Sequence, residues 1–173
     1  MRKARTTAQR ATPCLECADP MMSSREPHRY TITPKWAVTI TDAEILRCPT
    51  CGAFEIVIPK PDALQRTIAA EVIRKPARLA GPEIVFLRRC LNLTGRAMAK
   101  TLGVSHEALS RWENQANQLP SPVDRLLRTM VALTTFEGER FPVETLASIE
   151  GEAGPLKLVV TVDPKDGSWK RAA

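Results

Sequence analysis

The stretch Met98-Ala99-Lys100-Thr101-Leu102-Gly103-Val104-Ser105-His106-Glu107-Ala108-Leu109-Ser110-Arg111-Trp112-Glu113-Asn114 decides how the second half of this chain is read. Thr94 caps a short helix over Arg96–Leu102, Gly103 ends it, and Ser105 caps the next, His106–Asn114, because short side-chain oxygens satisfy first-turn N–H groups. Leu109 and Trp112 lie three apart and, with Val104, point inward, while His106, Glu107, Ser110 and Arg111 share the opposite face. A tight glycine turn fixes the second helix against the first. The exposed face has the chemistry to enter a DNA major groove, N-terminal end first. Arg111 can donate two hydrogen bonds to guanine O6 and N7, Glu107 can accept from cytosine N4, and His106 can meet a base edge or a phosphate. Arg96 and Lys100 on the preceding helix, with Ser105, suit phosphate contacts. Each residue alone has a plainer reading: exposed Arg and Glu side chains are usually solvated, and His106 can equally be a surface cap.

The pattern extends outward on both sides. Pro82 opens a helix with Ile84, Leu87 and Leu91 at helical spacing, the segment from Gln115 to Pro122 is a loop with two prolines, and Val123–Leu133 forms a fourth helix. Residues 81–133 therefore make an all-α unit.

The first half is organised by cysteine. Cys14 and Cys17, then Cys48 and Cys51 after thirty intervening residues, form two C-x-x-C turns, the second followed by Gly52. Two residues between thiolates let both sulfurs of a turn reach one tetrahedral ion, and four protein ligands leave no open position, so the ion is expected to be structural and to number one per chain. A thioredoxin-like redox pair needs a strand-to-helix turn that is missing here. An iron–sulfur cluster takes the same ligands, and spacing does not separate it from zinc. The fifth cysteine, Cys90, reads as a small buried hydrophobe beside Leu91. Short strands are predicted at 29–33, 36–40 and 54–58, closed by Pro59 and Pro61. The domain plan is a basic arm (1–13), a zinc ribbon (14–60), a connector helix capped by Asp62 and running to Lys75 within 61–80, the helical unit (81–133), and an extension (134–173). In that extension a short helix over 142–149 and a strand over 156–162, with Leu156, Leu158, Val160 and Val162 on one face, are expected. The fold class is thus α+β, a small ribbon followed by an all-α domain.

Charge supports a polyanionic partner. The chain carries a net +6. Arg2, Lys3, Arg5 and Arg10 sit in the arm without an acid, and residues 81–133 hold seven basic against four acidic groups. Phosphate neutralisation with counterion release favours such patches. No apolar run nears the ~20 residues of a membrane span, and no apolar stretch follows the basic start, so a cytoplasmic location is expected.

Over residues 81–133 the order Leu-Gly-Val-Ser then Leu-Ser-Arg-Trp-Glu-Asn resembles the Xre/Cro-type helix-turn-helix family. That resemblance implies a near five-helix domain with its third helix as reader, and a buried structural ion pair between Arg88 and Glu113. Two positions depart from it: Gly95 stands where the second helix commonly starts with Gln, and Gln115 stands where Gly often follows Glu-Asn. With the cysteine spacing added, residues 14–133 resemble the MqsA-type antitoxin family. This implies a homodimeric repressor on a palindromic duplex operator, not an enzyme, whose C-terminal half binds DNA and dimerises. It also implies a zinc half that clasps a ribonuclease toxin. Two other readings stay open. One is a protein-interaction module whose helices no longer read DNA, favoured by Gly95 and Glu107. The other is a thiol or metal enzyme, disfavoured by two histidines and no activated nucleophile.

Overall fold

The computed structural model describes residues 12–115, 117–136, 144–147, 149, 151 and 154–172, so the basic arm lies almost wholly outside it. The chain is mixed α and β, with a five-stranded sheet and six helices among the described residues. Its backbone is a long antiparallel hairpin, β1 (Met22–Thr33) and β2 (Trp36–Arg47). Both strands run well beyond the expected 29–33 and 36–40. The cause is a change of phase. Trp36, Val38 and Ile40 are buried in alternation, and then Ala43 and Ile45, because Thr41 and Asp42 together face only Pro27. An extra residue in one strand flips the side-chain alternation, so a strict period of two ends at Ile40. Pro27, which has no N–H, is tolerated because β1 is an edge strand.

β3 (Phe54–Val57) pairs with the second half of β2, at Glu44–Arg47. Further along the same edge, β4 (Val159–Val162) pairs in parallel with Thr39 and Ile40, and β5 (Trp169–Arg171) adds on β4. Leu158, Val160 and Val162 are buried as the alternation predicts, and Leu156 is half-buried. Trp169 is also buried and gives its indole N–H to the Pro59 carbonyl at 2.7 Å, yet three residues were too few to announce β5 in the sequence.

α1 (Pro61–Arg74) begins earlier than expected: its N-cap is Lys60 and not Asp62, which lies in the first turn, because Pro61 can occupy the first helical position, where no N–H is needed. Leu64, Ile68, Ala69, Val72 and Ile73 are its buried stripe, and they sit in the main core. α2 (Gly81–Cys90), α3 (Gly95–Leu102), α4 (His106–Glu113) and α5 (Ser121–Thr135) follow, then the single turn α6 (Glu144–Ala147); the rest of the helix expected over 142–149 lies largely outside the described residues.

One core runs from Trp36 to Trp169 and takes side chains from β2, β4, β5 and helices α1 to α5. Trp36 meets Phe86 of α2 edge-on, ring centres 5.5 Å apart. The core thus crosses the boundaries drawn at 60, 80 and 133. A buried polar network holds the turn between α1 and α2. Lys75 Nζ donates to Glu83 Oε2 and to the Gly154 carbonyl, and Glu83 also accepts from the Ala80 and Leu156 N–H groups. Arg128 pairs with Asp124 and donates to the carbonyls of Ile73, Lys75 and Ala77. Burial pushes the Lys75 ammonium below its ordinary value, against the opposing pull of Glu83. Nearly every donor and acceptor in the network is satisfied, which is the condition for buried charge to be tolerated.

Candidate metal centre and exposed helix face

Each cysteine pair sits on a turn with the same backbone wiring. In the first, Cys14 N–H bonds the Asp19 carbonyl at 2.8 Å and Ala18 N–H bonds the Cys14 carbonyl at 2.9 Å. In the second, Cys48 N–H bonds the Ala53 carbonyl at 2.8 Å and Gly52 N–H bonds the Cys48 carbonyl at 3.1 Å. The fifth residue of each turn is left-handed, Ala18 at φ 64° and Gly52 at φ 74°. The bridge between Pro13 and Pro20 closes the first turn, and the start of β3 against β2 closes the second.

The four sulfurs lie within 4.8 Å of one another. Cys14–Cys51, Cys17–Cys48 and Cys17–Cys51 are 3.5, 3.4 and 3.6 Å apart. Thiolates at ~2.3 Å from a tetrahedral ion stand about 3.8 Å from each other, so the cluster has the dimensions to hold one metal ion. The Cys51 backbone N–H, aided by that of Thr50, draws the Cys48 thiol down to about 6. Cys17 is held up at about 12: the Asp19 N–H lowers it, but the neighbouring Cys48, Cys51 and Cys14 outweigh that. Four thiolates at this spacing repel one another, and a cation removes the conflict. Cys14 and Cys48 are buried with Met21 in a small core of their own, separate from the main one. Around it Leu15, Met22 and Phe54 are exposed, and the Arg47 guanidinium lies 5.5 Å from the Phe54 ring centre. Cys90 is outside the cluster; it is half-buried against the main core, and burial pushes its thiol up to about 11.

The other candidate residues lie on α3 and α4. Thr94 accepts from Ala97 N–H at 3.2 Å and Ser105 from Ala108 N–H at 3.1 Å, capping the two helices, and Gly103 turns between them at φ 68°. Leu109 and Trp112 are buried, whereas Ser105, His106, Glu107 and Arg111 are exposed and Ser110 is half-exposed. Arg96 and Lys100 are exposed on α3. The His106 ring lies against Gly95: a Cβ added there would be 3.3 Å from His106 Nε2, so the N-terminal ends of α3 and α4 meet. The Glu107 N–H and the Ser105 hydroxyl hold the Glu107 carboxyl below the usual carboxylate range. Arg88 grips Glu113 with two nitrogens, at 2.6 and 3.3 Å, and also donates to the Leu93 carbonyl at 3.1 Å, which ties α2 to the last residue of α4. Gln115, in place of a glycine, adopts φ 63°.

No helix among the described residues is long and apolar enough to cross a membrane. Neither a protein-family model nor a curated protein matches the chain.

Proposed function

We propose that the chain is a zinc-stabilised, sequence-specific DNA-binding repressor in which α3 and α4 act as a helix-turn-helix and α4 enters the major groove. The observation that carries this reading is the division of α4: Leu109 and Trp112 are buried, and the side with His106, Glu107 and Arg111 is open to solvent. Arg111 reads guanine, the ionised Glu107 faces a base amino group, and Ser110 and His106 contact neighbouring edges. Arg96, Lys100 and Ser105 hold phosphates. The contact of His106 with Gly95 supports one continuous surface across both helices. Zinc, one per chain, joins the cysteine turns and has no catalytic position open.

The resemblance to MqsA-type antitoxins extends the reading to a homodimer on a palindrome in its own promoter. The exposed Leu126 and Leu133 of α5 support a self-contact. It also extends to a ribonuclease toxin held at the cysteine end, where Leu15, Met22 and Phe54 are exposed. One observation favours a second reading, a protein-interaction module: an anionic Glu107 on the open face is repelled by DNA unless it meets an amino group.

Selection from a random duplex library with the zinc-loaded protein tests the proposal. A palindromic motif is expected, bound about five- to 150-fold more weakly by Arg111→Ala, since a bidentate arginine–guanine contact is worth ~1–3 kcal/mol. Equal binding by the variant transfers the weight to the interaction module.

A further inference from the structure

Two adjoining depressions share Arg66 and Thr135 in their walls. The first, of 470 Å³, lies between β1, α1 and the end of α2; the second, of 810 Å³, lies between α1, the end of α5 and β5. Through the shared residues they form one trough across the outer side of α1, and no residue of α3 or α4 lines it.

The trough is cationic. Arg66 and Arg74 of α1, Arg89 of α2, and Lys170 and Arg171 of β5 line it, against two acids, Asp62 and Glu71. Arg171 contacts Glu71 at 3.0 Å yet keeps 61% of its side chain exposed. Arg66 and Arg74 are eight residues apart on one helix, about 12 Å, so the charges are strung out along a track and do not converge on a point. That geometry fits a polyanion better than a small anion. Each depression also holds an aromatic ring at its wall, Tyr30 of β1 in the first and Phe136 after α5 in the second. Spaced cations with interleaved aromatic rings suit a strand whose bases are free to stack; the bases of a duplex are already stacked inside it. A bilayer would instead require apolar side chains projecting from a convex surface, and among the described residues none of the large exposed ones, Leu133 of α5 included, lines the trough.

We propose that this trough binds single-stranded nucleic acid, with phosphates on Arg66, Arg89, Lys170 and Arg171 and bases stacked on Tyr30 and Phe136. The site is separate from the α4 surface and does not depend on how that surface is read.

The test uses the full, zinc-loaded chain and a fluorescein-labelled twelve-nucleotide oligothymidylate, followed by anisotropy across a salt series. Arg66→Ala with Lys170→Ala is expected to weaken binding about tenfold and to flatten the log–log salt slope by about 1.4, at ~0.7 for each phosphate no longer neutralised. Arg111→Ala should bind as the wild type does. A bromouracil-substituted oligomer, cross-linked by light and mapped by mass spectrometry, should label the peptides carrying Tyr30 or Phe136. The proposal is overturned by absent binding, by an unchanged slope in the double variant, or by an equal loss in Arg111→Ala. Cross-links on α4, or capture by phosphatidylglycerol vesicles without capture by the oligomer, also overturn it.

Discussion

Ala18 holds the left-handed conformation that Gly52 holds in the matching cysteine turn, at φ 64° against 74°. A Cβ in that region costs roughly 1–2 kcal/mol, part of which glycine returns through its greater freedom in the unfolded chain. Ala18→Gly should therefore tighten metal retention by up to about 1 kcal/mol, or about fivefold, in competition with a chelator. Weaker retention would mean that the methyl group contributes packing at the site. Gly81 presents the opposite situation. A Cβ there would stand 2.3 Å from the Glu113 carbonyl oxygen and 2.8 Å from that of Trp112, and backbone has no room to retreat. Gly81→Ala should cost about 3 kcal/mol or more in urea unfolding, at the upper end of overpacking effects. A loss below about 1 kcal/mol would show that α2 and the end of α4 can separate freely.

Among the elements, α5 buries an ion pair beside the core residues Leu127, Val131 and Ala132 and leaves two leucines outside. Its Asp124 and Arg128 are fully buried and paired, while Leu126 and Leu133 are 44% and 74% exposed. Asp124 also accepts from Leu79 N–H at 2.8 Å, so the inward charges clamp the segment between α1 and α2. On the outer side, Thr129 and Thr134 give their hydroxyls to the Arg125 and Met130 carbonyls within the helix, both at 2.9 Å, which lowers the polarity of that face. Leu126, Met130 and Leu133 fall at i, i+4 and i+7, one stripe. If this stripe supports the proposed dimer, Leu126→Asp with Leu133→Asp should convert the protein to a monomer in sedimentation equilibrium while leaving its helical circular dichroism unchanged. A double variant that still dimerises would place the interface elsewhere.

On the scale of the molecule, the hairpin separates two centres. The Thr33–Trp36 end lies against Pro82, Val85 and Glu113 of the helices, and the Met22–Arg47 end carries the cysteine turns. Twelve residues of strand put about 40 Å between them. Metal binding contributes folding energy only where ligands are ordered by it. Chelation should thus remove amide-exchange protection from residues 12–25 and 46–57. It should leave α1, α2 and α5 protected, because Ala43 and Ile45 already belong to the main core. Loss of protection throughout the helices would mean that the distal hairpin supports the core after all.

Some of this was determined by the sequence alone, because local chemistry suffices for it. Two C-x-x-C pairs dictate two turns that can share an ion, and cap residues with helical spacing delimit α3 and α4 through bonds made within a few residues. The alternation of Leu158, Val160 and Val162 marks a buried strand for the same reason. Other features were decided only in three dimensions. A strand phase broken opposite Pro27, the parallel pairing of β4 with β2 from 120 residues away, and the burial of Lys75, Glu83, Asp124 and Arg128 each depend on partners distant in the chain. The trough is of the same kind: its cations come from α1, α2 and β5, and only the packing of α1 between the others brings them to one surface. A charged residue carries no local sign of whether it will face water or a buried counter-charge, since that is set by which elements close over it.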